Sequence, residues 1–271
     1  MPIGHQLVLS LLVVMRWFLP IVCVPALLLG GSVPKTGTTA IQGAIPQTGR
    51  VPVLVELFTS DACAICPAAG EVVRTLEQKQ PIAGVEVIGI EMRMDAWGAQ
   101  GYRDPFALRQ MTNRQNEYLR LFKLDNLFTP QIVIGGQAQL ETPDVQQAKD
   151  EIARAAKSQR ATVEVSFQSA SLATVKVDKL PSSAGESEIW MAVTESTADG
   201  ADKTSTNAGP LGRTGVVRSL VMLGIAEPGE LTTYSMHLRF NPRWRREDLK
   251  YVVFVQERIS RKIWGATAVV P

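Results

Sequence analysis

The stretch that most narrows the folding options runs from Val53 to Leu76. Val53-Leu54-Val55-Glu56-Leu57-Phe58 is a nearly continuous apolar run of strand length, rich in β-branched residues, as a strand buried on both faces should be. It leads through Thr59-Ser60-Asp61-Ala62 into Cys63-Ala64-Ile65-Cys66-Pro67. Apolar residues then return at Ala69, Val72, Val73 and Leu76, which is helical spacing. The pattern predicts a core strand, a turn and a helix, with both thiols at the N-terminus of that helix.

That placement has a chemical consequence. Unpaired N–H groups and the positive end of the helix dipole favour an anion there and stabilise a thiolate, the nucleophile of disulfide exchange. Two residues between the sulfurs let the second thiol resolve a mixed disulfide formed on the first. Cys63, at the loop end, is the expected attacking sulfur, and Cys66, one turn in, the resolving one. Three competing readings stand beside this one. Half of a zinc site needs more ligands, and the chain of 271 residues has only three Cys and two His. A static structural disulfide is the second; a two-residue loop gains little stabilisation from closure. A Cu(I)-handling thiol pair is the third, with Met92 and Met94 as the only soft residues nearby.

Composition excludes other classes. The chain is 45% hydrophobic and 20% charged with a net charge of +2, too apolar for a disordered chain and without the basic face of a nucleic-acid binder. So few Cys and His leave no material for a disulfide scaffold or a metal cluster. His237 stands alone in a strand pattern, without a Ser or Asp constellation. No cofactor and no metal is expected.

The remainder of the first half reads in a thioredoxin-like order. Gly84–Ile90 is the next strand, Asp104-Pro105 opens a helix to about Phe122, and Thr142-Pro143 opens a last helix. Between them, Thr129-Pro130 leads a strand through Ile134, with Gln137–Glu141 as its returning hairpin partner. Proline is acceptable at the first residue of a strand. A cis Thr129–Pro130 bond would set this loop against the sulfurs and leave the backbone of Thr129 to pair with a substrate strand; a trans, strand-initiating proline is the plain alternative. Glu56 is either a buried carboxylate assisting proton transfer to Cys66 or a side chain reaching an edge.

These residues resemble a family. Glu56-Leu57-Phe58-Thr59-Ser60-x-x-Cys63-x-x-Cys66-Pro67, Met94-Asp95-x-Trp97, Asp104-Pro105-Phe106, Arg114-Gln115 and Thr129-Pro130-Gln131 are similar, in order, to a secreted bacterial thioredoxin-like family known as domain of unknown function 1223. The resemblance covers roughly residues 50–271 and implies a thioredoxin-like fold and an extracytoplasmic location. Two departures bear on the site. Ala62 replaces the family's usual Gly before the first Cys, and Arg93 stands where a His is common. A fixed cation at 93 depresses the thiolate pKa further if it lies near the sulfurs and does nothing if it lies on the surface. Asp95 and Trp97, with Tyr102, sit in a Gly-containing loop that either contacts a ligand or anchors itself to the core through its aromatic.

The N-terminal Leu7–Gly31 is apolar except for Arg16. As one membrane helix it places Arg16 near the middle, at about 2.5–3.5 kcal/mol. Translation from Met15 instead makes Arg16 a short positive region before an apolar core, the pattern of an export signal. Val33–Arg50 reads as a flexible tether. From Ala161 the pattern changes to seven short strand-like runs separated by turns, as in an antiparallel sandwich. Ser196–Gly209 reads as a polar loop. Arg213 and Arg218 are either interface contacts or solvated strand charges, and Arg239, Arg243, Arg245 and Arg246 with Trp244 make either a basic docking cluster or an exposed turn.

The expected architecture is therefore an α/β thioredoxin-like domain followed by an all-β antiparallel sandwich domain. Its parts are a signal peptide or membrane anchor (1–31), a linker (32–50), a CxxC domain (51–160) and a sandwich (161–271). The expected function is that of an exported thiol–disulfide oxidoreductase, periplasmic or secreted. Cys63, Cys66, Thr129 and Pro130 are its site, and Glu56, Arg93, Asp95 and Trp97 are auxiliary candidates. Its partner is a protein thiol or disulfide, with no nucleic acid and with membrane contact only through an uncleaved N-terminus.

Overall fold

The computed structural model describes residues 49–95, 104–169, 171–196, 215–239 and 241–270. Trp97, Tyr102, Arg213, the N-terminal apolar stretch and nearly all of the 196–209 loop lie outside these residues. The strands and helices come in the order β1 (Val51–Thr59), α1 (Cys66–Lys79), β2 (Val85–Arg93), α2 (Arg109–Phe122), β3 (Gln131–Ile134), β4 (Ala138–Leu140) and α3 (Val145–Ala156). Seven strands follow: β5 (Val163–Ser169), β6 (Leu172–Val177), β7 (Ser187–Glu195), β8 (Val216–Ala226), β9 (Thr232–His237), β10 (Leu249–Glu257) and β11 (Ile263–Val269).

The strands form where alternation and β-branching place them, but they do not assemble as two separate bodies. β11-β10-β7-β8-β2-β1-β3-β4 make one eight-stranded mixed sheet, and β5-β6-β9 make a second of three strands. This overturns the expected pair of a thioredoxin-like α/β domain and an independent antiparallel sandwich. The join is β8 against β2, parallel at Val216 and Glu91, with the Glu91 amide donating to the Gly215 carbonyl at 3.0 Å. The physical reason is burial. Ile88, Ile90 and Met92 of β2 are inside and share one core with Leu54 and Phe58 of β1, Val217 and Leu220 of β8, Val252 and Phe254 of β10, and Ile263 and Ala266 of β11. That core is completed by Met111 and Tyr118 of α2. Strand signals read one segment at a time carry the period of burial but not the choice of neighbour.

The large sheet is covered on both faces. α2 packs on one. On the other, α1 and α3 bury Ala69, Val72, Val73, Leu76, Ala148 and Ile152 against Val53, Val55 and Leu57 of β1 and their neighbours on β2 and β3. Further along the same face, Val163, Val165, Val175 and Val177 of the small sheet pack on Ile189, Met191, Tyr251, Val253, Val255 and Trp264. Two sheets do face one another there, which is the part of the sandwich expectation that survives. Odd and even residues of β1 thus belong to different cores, because successive side chains of a strand point to opposite faces.

The sheet is also tied end to end. The Ile263 amide donates to the Gly135 carbonyl at 3.0 Å, and Gln137 Nε2 donates to the Ser260 carbonyl at 2.6 Å. The β3–β4 turn therefore meets the β10–β11 turn. Gly136, at φ 72°, lies so close that a Cβ would fall 1.9 Å from the Arg261 carbonyl oxygen. α3 starts at an Asp144 cap whose carboxylate accepts from the amides of Gln146 and Gln147. α2 starts at Arg109, later than Asp104-Pro105 suggests. Asp104 is taken up in a turn, where Oδ1 accepts from the Phe106 amide at 2.9 Å and its carbonyl from Ala107 at 3.1 Å. Among the described residues no helix is long and apolar enough to cross a membrane.

Candidate functional site

β1 ends at Thr59, and the chain turns sharply into α1. The Ser60 carbonyl accepts from the Cys63 amide at 3.1 Å, and Ser60 Oγ accepts from the Ala62 amide at 3.2 Å. This turn delivers Cys63 and Cys66 to one another across a Cα–Cα distance of 5.4 Å, joined as a disulfide. Cys66 is the first residue of α1 and Pro67 the second, where a missing N–H costs nothing. No side chain caps this helix end; Ile65 occupies the cap position. Cys63 is 7% exposed and Cys66 3%, so both residues are buried, Cys66 the more deeply. Around them Ala62 and Ala64 are exposed and Ile65 is 60% exposed.

The Thr129–Pro130 peptide bond is cis. Cys63 Sγ lies 3.4 Å from the Thr129 carbonyl oxygen, so the loop meets the disulfide at the sulfur that precedes the helix. Pro130 is buried and Thr129 half-buried. The loop is held from α2. Gln115 Nε2 donates to the Phe128 carbonyl at 2.7 Å and to Gln131 Oε1 at 3.0 Å, and Gln131 Nε2 donates to Gln139 Oε1 at 2.5 Å. Gln131 opposes Phe58 in the β1–β3 register, which anchors the far side of the brace in the sheet.

Arg93 lies beside the CxxC turn and is 3% exposed. Its guanidinium pairs with Asp61, with Glu91 at 2.8 Å and with Asp104 at 2.7 Å. Burial works against its charge, but the carboxylates of Glu91, Asp104 and Asp61 outweigh burial and hold its pKa above the ordinary arginine value. Neither sequence alternative describes it. Arg93 is close to the thiol turn, but three carboxylates engage its charge. What it does is fasten Asp61, two residues before Cys63, to the end of β2 and to the Asp104 turn.

Glu56 is fully buried but belongs to the other face of the sheet. Its neighbours Leu54 and Phe58 line the α2 core, whereas Val55 and Leu57 line the α1 core. Arg114 Nε donates to Glu56 Oε1 at 2.6 Å, and the Tyr118 hydroxyl donates to Glu56 Oε2. Gln256 Nε2 in turn donates to the Tyr118 oxygen at 2.9 Å. The Arg114 guanidinium lies 5.1 Å from the Phe254 ring centre. Burial pushes the Tyr118 hydroxyl far above its ordinary pKa, so it stays protonated and donates. The structure does not bring Glu56 to the sulfurs; its carboxylate is held by α2.

Asp95 accepts from the Thr112 hydroxyl of α2. Met92 and Met94 are buried in the α2 core. Arg218 is 4.4 Å from the Phe106 ring centre and 3.5 Å from Glu195, so it bridges the two halves of the sequence. Arg239, Arg243, Arg245, Arg246 and His237 are exposed. Sequence reasoning missed Asp61 and Glu91 as partners of Arg93, Gln115 as the brace of the proline loop, and Tyr118. A signal for the last two was present. The buried stripe of α2 is Met111, Arg114, Gln115 and Tyr118, with helical spacing and mostly polar, so its members need buried partners.

Residues 54–256 match the sequence family described as "Protein of unknown function (DUF1223)". A search of curated proteins finds no match. Among solved structures, the crystal structure of a protein from Agrobacterium tumefaciens is similar at a TM-score of 0.64 and 23% identity, over 82% of this chain and 95% of that one. HBP35 of Porphyromonas gingivalis is similar at a TM-score of 0.59 and 14% identity, over 82% of this chain and 75% of that one. At these identities the likeness is one of fold. The matched span takes in every residue of the disulfide turn, the proline loop and both buried charge networks, and by that match the chain belongs to the DUF1223 family.

Proposed function

We propose that the Cys63–Cys66 pair exchanges disulfides with a protein substrate outside the cytoplasm. The observation that carries this reading is the disulfide at the first turn of α1, with Cys63 Sγ 3.4 Å from the Thr129 carbonyl. As a staple the bond is weak. By the chain-entropy relation a loop this short contributes roughly 2 kcal/mol, against about 3 for a 15-residue loop. Redox chemistry gives the pair a purpose that stapling does not.

In the step proposed, a substrate thiolate attacks Cys63 Sγ. The new S–S bond forms as Cys63–Cys66 breaks, and its electron pair leaves on Cys66, at the positive end of α1. A second substrate thiolate then attacks the substrate sulfur of the mixed disulfide and releases Cys63. The substrate is oxidised by two electrons, and the protein is left as a dithiol after taking up two protons. The reverse sequence reduces a substrate disulfide. Thr129 offers backbone to an extended substrate segment, and exposed Ala62, Ala64 and Ile65 offer it an apolar seat. The apolar Leu7–Gly31 stretch supports export.

The test follows exchange with oxidised and reduced glutathione by mass spectrometry. Cys63→Ser abolishes exchange, and Cys66→Ala accumulates a mixed disulfide on Cys63. Exchange by the Cys63→Ser protein at the wild-type rate sinks the proposal.

A further inference from the structure

A cleft of about 560 Å³ opens at the far end of β3 from the disulfide, between the β3–β4 turn, the end of α3 and the start of β11. Its volume is that of a small-molecule site. Arg160, Lys262 and Arg154 bring three cations to it, and the half-buried Phe122, Ala138 and Ala155 give it an apolar wall. Glu151 is the acidic residue in its wall, and it is already paired with Arg154 at 2.5 Å.

Arg160 and Lys262 stand differently from Arg154. Neither has a carboxylate within ion-pair distance among the described residues. Arg160 spends its donors on backbone, Nη2 on the Ala155 carbonyl at 2.6 Å, and its Nε is buried without a partner. Lys262 Nζ rests 3.6 Å from the centre of the Trp264 ring. Burial lowers the Arg160 pKa to about 10. Burial first, and then the charge of Arg160, lowers that of Lys262, with Glu257 acting in the opposite direction. Two partly desolvated cations thus repel one another across one opening. A desolvated charge without a counter-charge is costly, and an oxyanion placed between a guanidinium and an ammonium relieves both the desolvation and the repulsion through charge-assisted hydrogen bonds.

We propose that this cleft binds a small organic anion, its carboxylate or phosphate head between Arg160 and Lys262 and its apolar body on Phe122, Ala138 and Ala155. The site is independent of the thiol chemistry. Gly135, in its wall, carries the hydrogen bond that ties β3 to β11, so an occupant bridges the two ends of the large sheet.

The experiment is calorimetric titration of the full chain with octanoate, octyl phosphate and inorganic phosphate at low salt. Octanoate or octyl phosphate binds with a Kd below roughly 1 mM, and whichever binds more tightly identifies the head group. Arg160→Gln and Lys262→Gln each weaken that binding about tenfold or more; Arg154→Gln weakens it less. Lys262→Gln removes no hydrogen bond of the fold, so it answers the question even if Arg160→Gln unfolds. Binding of neither octanoate nor octyl phosphate, or wild-type affinity in a folded Lys262→Gln protein, overturns the site. Inorganic phosphate binding as tightly as octyl phosphate overturns the apolar seat.

Discussion

Gly136 has no room for a side chain. The backbone at φ 72° and the Arg261 carbonyl 1.9 Å from an added Cβ exclude even alanine without movement. Gly136→Ala is expected to lower stability by about 2 kcal/mol or more, the sum of left-handed strain and overpacking, read as a lower urea midpoint at unchanged slope. Arg114 is the second position where one residue decides much. Arg114→Leu leaves the Glu56 carboxylate buried beside Tyr118 without its cation, a loss on the order of 3–5 kcal/mol. Glu56→Gln combined with Arg114→Leu is expected to be milder than Arg114→Leu alone, which a double-mutant cycle of unfolding free energies measures. At this scale the sulfurs and the proline were legible because their spacing is local. The partners of Arg93 and Glu56 were not, because a buried carboxylate and its arginine sit 58 positions apart in one case and on three separate segments in the other.

The elements carry the site by position. α1 offers its open N-terminus to the sulfurs, while α2, on the opposite face, holds the proline loop through Gln115. Gln115→Leu removes both donors of the brace and leaves the Phe128 carbonyl without its partner, which costs about 1–3 kcal/mol. Amide exchange at residues 127–131 is expected to quicken in this protein, and glutathione exchange at Cys63 to slow, while the Cys63–Cys66 disulfide still forms. Unchanged protection of that loop would show that α2 does not position it. Strand and helix limits were mostly legible from period and turn residues. The start of α2 was not, because Asp104, a good cap by type, is drawn instead into the turn that Arg93 holds.

Across the whole molecule, the core around α2 draws side chains from β1, β2, β3, β7, β8, β10 and β11. A fragment spanning residues 49–160 therefore lacks half the walls of its own interior. It is expected to keep helical far-ultraviolet dichroism, to lose near-ultraviolet signal and to unfold without a cooperative transition, whereas the full chain unfolds in a single one. A cooperative fragment would mean that β1–β4 and α1–α3 suffice. Pairing of β8 with β2 was illegible in the sequence, since one register pair joins them and nothing in either strand's alternation names the other. The strand order has a consequence for synthesis. The outer neighbour of β2 begins at residue 216, and the tie to Gly135 is made by residue 263. A nascent chain that has already exposed Cys63 and Cys66 to its surroundings is thus more than a hundred residues short of closing its core. The CxxC turn is therefore made long before the strands that complete the core of its sheet.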